Sequence, residues 1–292
     1  MNARGDMAYL AVDGGGTHCR FVLAIHGARV LAHGGTANVS TDFNAARQVL
    51  VAGLEDLSVQ AEVPLETVFS LPAFVGVAGV TGPEMASRLS DALPLTRAKC
   101  ADDRPAALRG ALGDGDGFIA HCGTGSFFAS QINGQPRLAG GWGSVLGDEA
   151  SAMWVGRNLL SVTLRCVDGF LEHSRLTRWV LSELGGSAGI VRFAANAGPA
   201  EFGSLAPRVT DALAQNDTIA TKLMQDAAAS AASQLMSLGW SSGLPICLTG
   251  GIAEQYHAFL PSEMQAAVHA PLGTPLDGAE ALARDHAMEG LA

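Results

Sequence analysis

Lysine is nearly missing from this chain: in 292 residues only Lys99 and Lys222 occur, and Ala98 and Thr221 precede them. The Gly-Lys-Ser/Thr core of a Walker A loop is therefore absent, and a nucleotide site would have to be of another kind. Cysteine is also sparse. The five cysteines (Cys19, Cys100, Cys122, Cys166, Cys247) are scattered without a Cys-x-x-Cys pair, which argues against a structural zinc, an iron–sulfur site or a disulfide framework. A reduced, cytoplasmic protein fits. No apolar run approaches the roughly 18 residues of a membrane span, and Met1 to Asp6 lack the basic-then-apolar pattern of a signal peptide. Positive charge is short overall, with a net charge of −10, so nothing favours nucleic acid or an anionic membrane. An anionic ligand must be held locally by backbone N–H groups, a few arginines or a metal. No Gly-x-Gly-x-x-Gly spacing is present, which excludes the dinucleotide-binding fingerprint. The eight histidines are unclustered, and His18 and His121 read as strand residues rather than ligands.

What the chain has is glycine, 36 residues of it, concentrated between apolar runs. The apolar run Phe118 to Cys122 breaks into Gly123-Thr124-Gly125-Ser126 and resumes as Phe127-Phe128-Ala129. After Asn133-Gly134 a third short strand leads to Gly140-Gly141-Trp142-Gly143, and Gly147-Asp148-Glu149 is expected to open a helix near Ala150. Glycine tolerates positive φ and lets a backbone N–H approach an anion, so three such bends beside an acidic pair suit phosphate or sugar hydroxyls. Tight turns needing glycine for geometry alone are the other explanation. The same pattern occurs near the start. Tyr9 to Val12 ends at Asp13, Gly14-Gly15-Gly16-Thr17 follows, Cys19 to Ile25 reads as a second strand, and Arg29 to Ala32 as a third ending at Gly34-Gly35. We take this as an internal duplication of one nucleus in two domains.

A helix is expected from Thr41 or Asp42 to about Leu57, with Val49, Leu50, Leu54 and Leu57 on one stripe. A buried strand over Ala73 to Ala78 follows, then a helix opened by Pro83. Cys100-Ala101-Asp102-Asp103-Arg104-Pro105 leads into a helix over Ala106 to Leu112, and residues 113–117 form a loop. Further helices are read over 150–167, 175–184, 206–213 and about 217–238. Ile246 to Leu248 is a strand that meets Thr249-Gly250-Gly251, and the tail from Leu276 to Met288 is helical. Strands interleaved with helices indicate an α/β protein.

The ordered set Asp13-Gly14-Gly15-Gly16-Thr17, Gly123-Thr124-Gly125-Ser126, Gly140-Gly141-Trp142-Gly143, Gly147-Asp148-Glu149 and Thr249-Gly250-Gly251, with Pro275-Leu276-Asp277-Gly278-Ala279 near the end, resembles the actin-like superfamily of sugar kinases, Hsp70 and actin. It is most similar to the branch holding the N-acetylglucosamine and glucosamine kinases and the BadF/BadG/BcrA/BcrD ATPases. The resemblance implies two ribonuclease-H-like domains flanking a nucleotide cleft. It places residues 1–114 with 278–292 in one domain and 115–277 in the other. ATP, magnesium and a small sugar are the implied ligands, and a homodimer is compatible with it. Asp13 would organise the metal, with Gly14, Gly15, Gly16 and Thr17 against the β- and γ-phosphates. Gly123, Thr124, Gly125 and Ser126 would form the second phosphate loop, and Gly250 and Gly251 the adenosine loop.

The catalytic base of these kinases is an aspartate in an Asn-Asp pair at a helix start. This chain has Asp102-Asp103, which puts Asp103 at the base position and Asp102 at the usual asparagine, with the register open by one residue. Asp103 could instead only cap a helix, and two adjacent carboxylates could raise one another's pKa. For the sugar, the resemblance points to Asn38, Asp103, Thr124, Trp142, Gly143 and Asp148, with Glu149 beside it. Asp148-Glu149 would equally suit the first turn of a helix, and Trp142 reads either as core or as an apolar platform. No role is read for Arg104, Arg137 or Arg157. The expected function is ATP-dependent phosphorylation of an amino sugar. The rivals are an ATPase activator of the acyl-CoA dehydratase type, which needs clustered cysteines, and a nucleotide- or sugar-binding regulator without catalysis.

Overall fold

The structure is a computed structural model that describes residues 7–16 and 18–290. Thr17, expected in the first glycine turn, lies outside the described residues. The chain divides into two compact units. One runs to Gly115 and resumes at Pro271; the other is Asp116–Ala270.

In the first unit β1 (Tyr9–Gly14), β2 (Cys19–Ile25) and β3 (Ala28–Gly34) are followed by α1 (Phe43–Ala61), α2 (Leu65–Ser70), β4 (Pro72–Val77), α3 (Pro83–Ala92), β5 (Arg97–Ala101) and α4 (Arg104–Leu112). The sheet order is β3-β2-β1-β4-β5, with β1 antiparallel to β2 and parallel to β4. β1 and β4 are buried along their whole length, as their mainly apolar sequences require of strands covered on both faces. α1 starts where the Asp42 carboxylate accepts the Ala45 N–H at 2.9 Å. Leu50, Leu54 and Leu57 are buried along its length, one stripe at helical spacing.

The second unit contains β6 (Gly117–Cys122), β7 (Ser126–Ile132), β8 (Gln135–Gly140), α5 (Ala152–Val167), α6 (Arg175–Leu184), α7 (Gly186–Asn196), α8 (Pro199–Gly203), α9 (Ala206–Ala214), α10 (Thr218–Ser237) and β9 (Ile246–Thr249). A 3-10 helix (Ala253–Phe259), α11 (Ser262–Ala266) and β10 (Val268–His269) complete it. Its sheet order is β10-β9-β6-β7-β8, with β6 antiparallel to β7 and parallel to β9. Each sheet is therefore a three-strand meander whose first strand pairs in parallel with a later one, as the duplicated sequence pattern implies. Asp217 fixes two helix starts: its Oδ1 accepts the Ile219 and Ala220 N–H groups of α10, and its Oδ2 accepts the Leu176 N–H of α6.

α12 (Pro275–Glu289) belongs to the first unit and packs on α4. A Cβ at Gly278 would collide with the Ala106 carbonyl oxygen and the Gly110 nitrogen, and one at Gly110 with the Thr274 carbonyl. The two helices thus touch backbone to backbone, which is the physical role of glycine in the Leu276-Asp277-Gly278 motif. Glu280, two residues on, is buried, and accepts from Tyr9 Oη (2.9 Å) and from Arg29 Nε and Nη2 (3.0 and 2.6 Å). On an exposed helix Gly→Ala would stabilise by up to about 1 kcal/mol. At Gly278 the opposite sign is expected, a loss of about 2 kcal/mol from overpacking, read as a lower urea midpoint. An unchanged or raised midpoint would show that the helices are free to separate.

Candidate active site

In the first unit, Asp13 stands at the end of β1, opposite Arg20 in the β1–β2 ladder. Arg20 Nη2 donates to Asp13 Oδ2 at 2.5 Å. Asp13 is buried, and burial outweighs the arginine, so its pKa is raised. Gly14 and Gly15 carry the turn onward. Gly14 accepts the Ala78 N–H at 2.7 Å and Gly15 the Ala37 N–H at 3.2 Å, so the turn is stitched to the segment holding Asn38. A side chain at Gly16 would meet nothing within 4 Å, which leaves that edge of the turn open to a ligand. Asn38 Oδ1 accepts from Ser40 N, Ser40 Oγ and Thr41 N, at 3.0, 2.7 and 3.2 Å. Its side-chain oxygen serves the local turn.

Asp102 and Asp103 follow β5 directly. Gly76 of β4 is the ladder partner of both Asp13 and Ala101, and a Cβ there would lie 3.5 Å from the Asp103 Cα. The two carboxylates then differ sharply. Asp102 Oδ1 accepts the Arg104 N–H and Nε, both at 2.8 Å, and Oδ2 accepts Nη2 at 2.9 Å. Asp103 makes no side-chain cap to α4. Burial pushes its pKa up to about 8, and Asp102, through its charge and a side-chain hydrogen bond, and the Asp13 charge add to the effect. One carboxylate is fixed in an ion pair. The other is poised near neutrality.

In the second unit, Gly123 to Gly125 close the β6–β7 hairpin, with the Gly123 N–H donating to Gly125 O at 2.9 Å. The Ala152 and Met153 N–H groups at the start of α5 donate to Gly123 O (2.8 Å) and Thr124 O (3.4 Å). Ser126 N–H donates to Asp148 Oδ1 at 3.3 Å, and Ser126 Oγ to Glu149 O at 2.6 Å. Asp148 is buried, and desolvation raises its pKa against the opposing N–H groups of Ser126 and Gly143. The acidic pair does not form the first turn of a helix: Ser151 caps α5 by accepting the Trp154 N–H, and the helix begins at Ala152, two residues beyond Ala150. Trp142 is 64% exposed, so it is not core. A side chain at Gly143 (φ +83) would meet nothing within 4 Å.

Gly250 and Gly251 part company. At Gly250 (φ +88) a Cβ would collide with the Cys122 carbonyl and come within 2.7 Å of Gly123 N, so glycine there is required by the backbone at the end of β6. At Gly251 a Cβ would enter open space. His121 Nδ1 lies 3.1 Å from Thr249 Oγ1, its ring stacks on Phe127, and burial lowers its pKa to about 4, which keeps it neutral. Each unit thus gathers its own motifs: Asp13 to Gly16 and Asn38 in the first, with Asp102 and Asp103 beyond β5; Gly123 to Ser126, Asp148, Glu149 and Gly250 in the second. Sequence reasoning did not assign Arg20, Arg104 or Tyr256. The hairpin register would have paired Arg20 with Asp13.

The family model for the BadF/BadG/BcrA/BcrD ATPases matches residues 10–279. The chain belongs to the BadF/BadG/BcrA/BcrD ATPase family. Glucosamine kinase GspK of Vibrio cholerae is 25% identical over 275 residues, 93% of this chain and 94% of that protein. A crystal structure from Chromobacterium violaceum, named provisionally as an N-acetylglucosamine kinase, is 33% identical, with 95% of this chain and 99% of that one covered and a TM-score of 0.82. A ROK family glucokinase from Streptomyces griseus, solved with glucose and AMPPNP, shares the fold at a TM-score of 0.57 and 17% identity, covering 95% and 99%. The two five-stranded sheets are those of the actin-like ATPase and sugar kinase fold. ATP is the nucleotide that membership of this ATPase family implies. No helix among the described residues is long and apolar enough to cross a membrane.

Proposed function

We propose that the chain transfers the γ-phosphoryl group of ATP to a hydroxyl of an amino sugar, N-acetylglucosamine or glucosamine. The observation that carries this reading is the contrast at 102 and 103: Arg104 occupies Asp102, whereas Asp103 is half-buried, outside that ion pair and raised by desolvation to about 8. A base for a sugar hydroxyl works best with a pKa near the working pH, and Asp103 meets that condition. Asp148, Glu149, Asn38, Thr124, Trp142 and Gly143 are read as sugar contacts. Gly14 to Thr17, Gly123 to Ser126 and Gly251 are read as nucleotide contacts, and Gly250 as support for the second phosphate loop.

Magnesium fits the donor set in one way only. Among the described residues no three His, Cys, Asp or Glu side chains converge, so there is no all-protein cage. Magnesium is commonly held by one or two carboxylates with water and phosphate oxygens. Asp13 suits that role, with Oδ2 held by Arg20 and Oδ1 the oxygen it can offer. When bound, the ion would neutralise phosphate charge, while the protein's own part is positioning and proton acceptance. The reading is tested by sugar-dependent ADP release over a panel of hexoses, hexosamines and N-acetylhexosamines. Release at the no-sugar level throughout would end it.

A pH dependence follows. Asp103 accepts a proton only when ionised, so kcat/KM for the sugar should rise with pH and level off above about 8. Asp102→Asn removes two of the causes that raise the Asp103 pKa but leaves burial, the largest. Its acid limb should therefore move to lower pH without reaching the ordinary carboxylate range. Rate profiles of the two proteins from pH 5.5 to 9.5 would decide it, and superimposable limbs would remove Asp103 as the titrating base.

A further inference from the structure

Tyr256, one of only two tyrosines in the chain, is fully buried in the 3-10 helix that follows Gly250-Gly251. Its hydroxyl donates to the Ala150 carbonyl oxygen at 2.5 Å. Ala150 has φ +64 and Asp148 φ +61, both in the left-handed region. Residues other than glycine persist there only when their surroundings enforce it. The enforcement is visible: the Glu149 carbonyl is held by Ser126 Oγ at 2.6 Å and the next carbonyl, that of Ala150, by Tyr256 Oη. Two side-chain hydroxyls therefore hold consecutive carbonyls just after Asp148. The Asp148 carboxylate is directed by the same bend to the Ser126 N–H.

We propose that Tyr256 is a positioning residue for phosphoryl transfer: through the Ala150 carbonyl it holds the left-handed bend that aims Asp148. It links the segment after Gly250-Gly251 to the carboxylate that contacts the sugar. This rests on the reading of Asp148 as a sugar contact given above. A purely space-filling tyrosine would need its ring alone, so Tyr256→Phe separates the two roles. Removing the hydroxyl leaves a buried carbonyl without its donor and the bend without one of its two clamps. Glycine at 150 adopts positive φ unaided, so it should make the clamp dispensable.

The test compares wild type, Asp148→Asn, Tyr256→Phe and Tyr256→Phe with Ala150→Gly, measuring kcat and KM for sugar and for ATP, with melting midpoints alongside. Tyr256→Phe is expected to lower kcat/KM for the sugar about tenfold while KM for ATP stays within about twofold, and Ala150→Gly is expected to recover most of the loss. Sugar kinetics of Tyr256→Phe within twofold of wild type, with Asp148→Asn impaired, would overturn the proposal alone. A loss spread equally over sugar and ATP and not recovered by Ala150→Gly would also overturn it, leaving a packing role. Unimpaired Asp148→Asn would sink the reading of Asp148 and the proposal with it.

Discussion

Replacing Asp103 with asparagine is expected to lower kcat for sugar phosphorylation by about a hundredfold or more, the scale of a lost general base. Asparagine keeps the size of the side chain and can still hydrogen-bond a hydroxyl, so KM for the sugar should change far less than kcat. ATP affinity should be nearly unaltered, because the substitution removes proton acceptance rather than phosphate contacts. Stability argues the same way. The Asp103 side chain makes no capping hydrogen bond to α4 and forms no part of the Asp102–Arg104 ion pair, so the substitution removes neither contact. Asp102→Asn should be the milder change at the pH optimum, its effect appearing mainly in the position of the acid limb. If Asp102→Asn proved the more damaging of the two, the base would have to be reassigned by one residue.

That one-residue ambiguity shows where sequence reading stopped and why. Both aspartates fit a helix start, and spacing along a chain does not say which carboxylate an arginine two residues on will occupy. The answer lies in the Arg104 side chain folding back on Asp102. The hairpins were legible for the opposite reason: β1, β4 and β6 are almost wholly buried and so are written as short, mainly apolar runs, with glycines at or just after their ends that mark the turns. β5 was not legible, because this edge strand, Arg-Ala-Lys-Cys-Ala, has no apolar run. α7 went unread in a Gly- and Ala-rich segment with only two buried positions, and α8 and α11 are single turns. At the candidate site, two of the glycines read as ligand contacts have steric causes within the fold. Gly250 answers to the Cys122 carbonyl, and Gly125 to the Asp148 carboxylate. Those are long-range contacts that composition does not carry.

Gly125→Val should have a larger effect than the loss of the base. A Cβ at position 125 would lie 2.9 Å from Asp148 Oδ2 and 3.2 Å from its Cγ, and valine adds two methyl groups beyond that point. The backbone at 125 is not in the left-handed region, so the conflict is one of space and not of φ. Asp148 has little room to withdraw. Its own φ is +61, its carbonyl accepts the Ser151 N–H at 3.1 Å, and the following carbonyl is held by Ser126 Oγ. Either the carboxylate or the glycine turn must move by about an ångström, and a displacement of that size in a catalytic site costs roughly a hundredfold. The branched side chain would also fill the edge of a loop read as a phosphate contact, so the loss in kcat/KM should reach about a thousandfold. Gly125→Ala, which brings only the Cβ, should fall between this variant and wild type. The fold should survive, since the hairpin keeps its ladder with β6 and β7, and a cooperative melting transition would show it. Near-normal sugar kinetics for Gly125→Val in a folded protein would mean that neither the transferred phosphate nor the sugar-binding carboxylate sits at this turn.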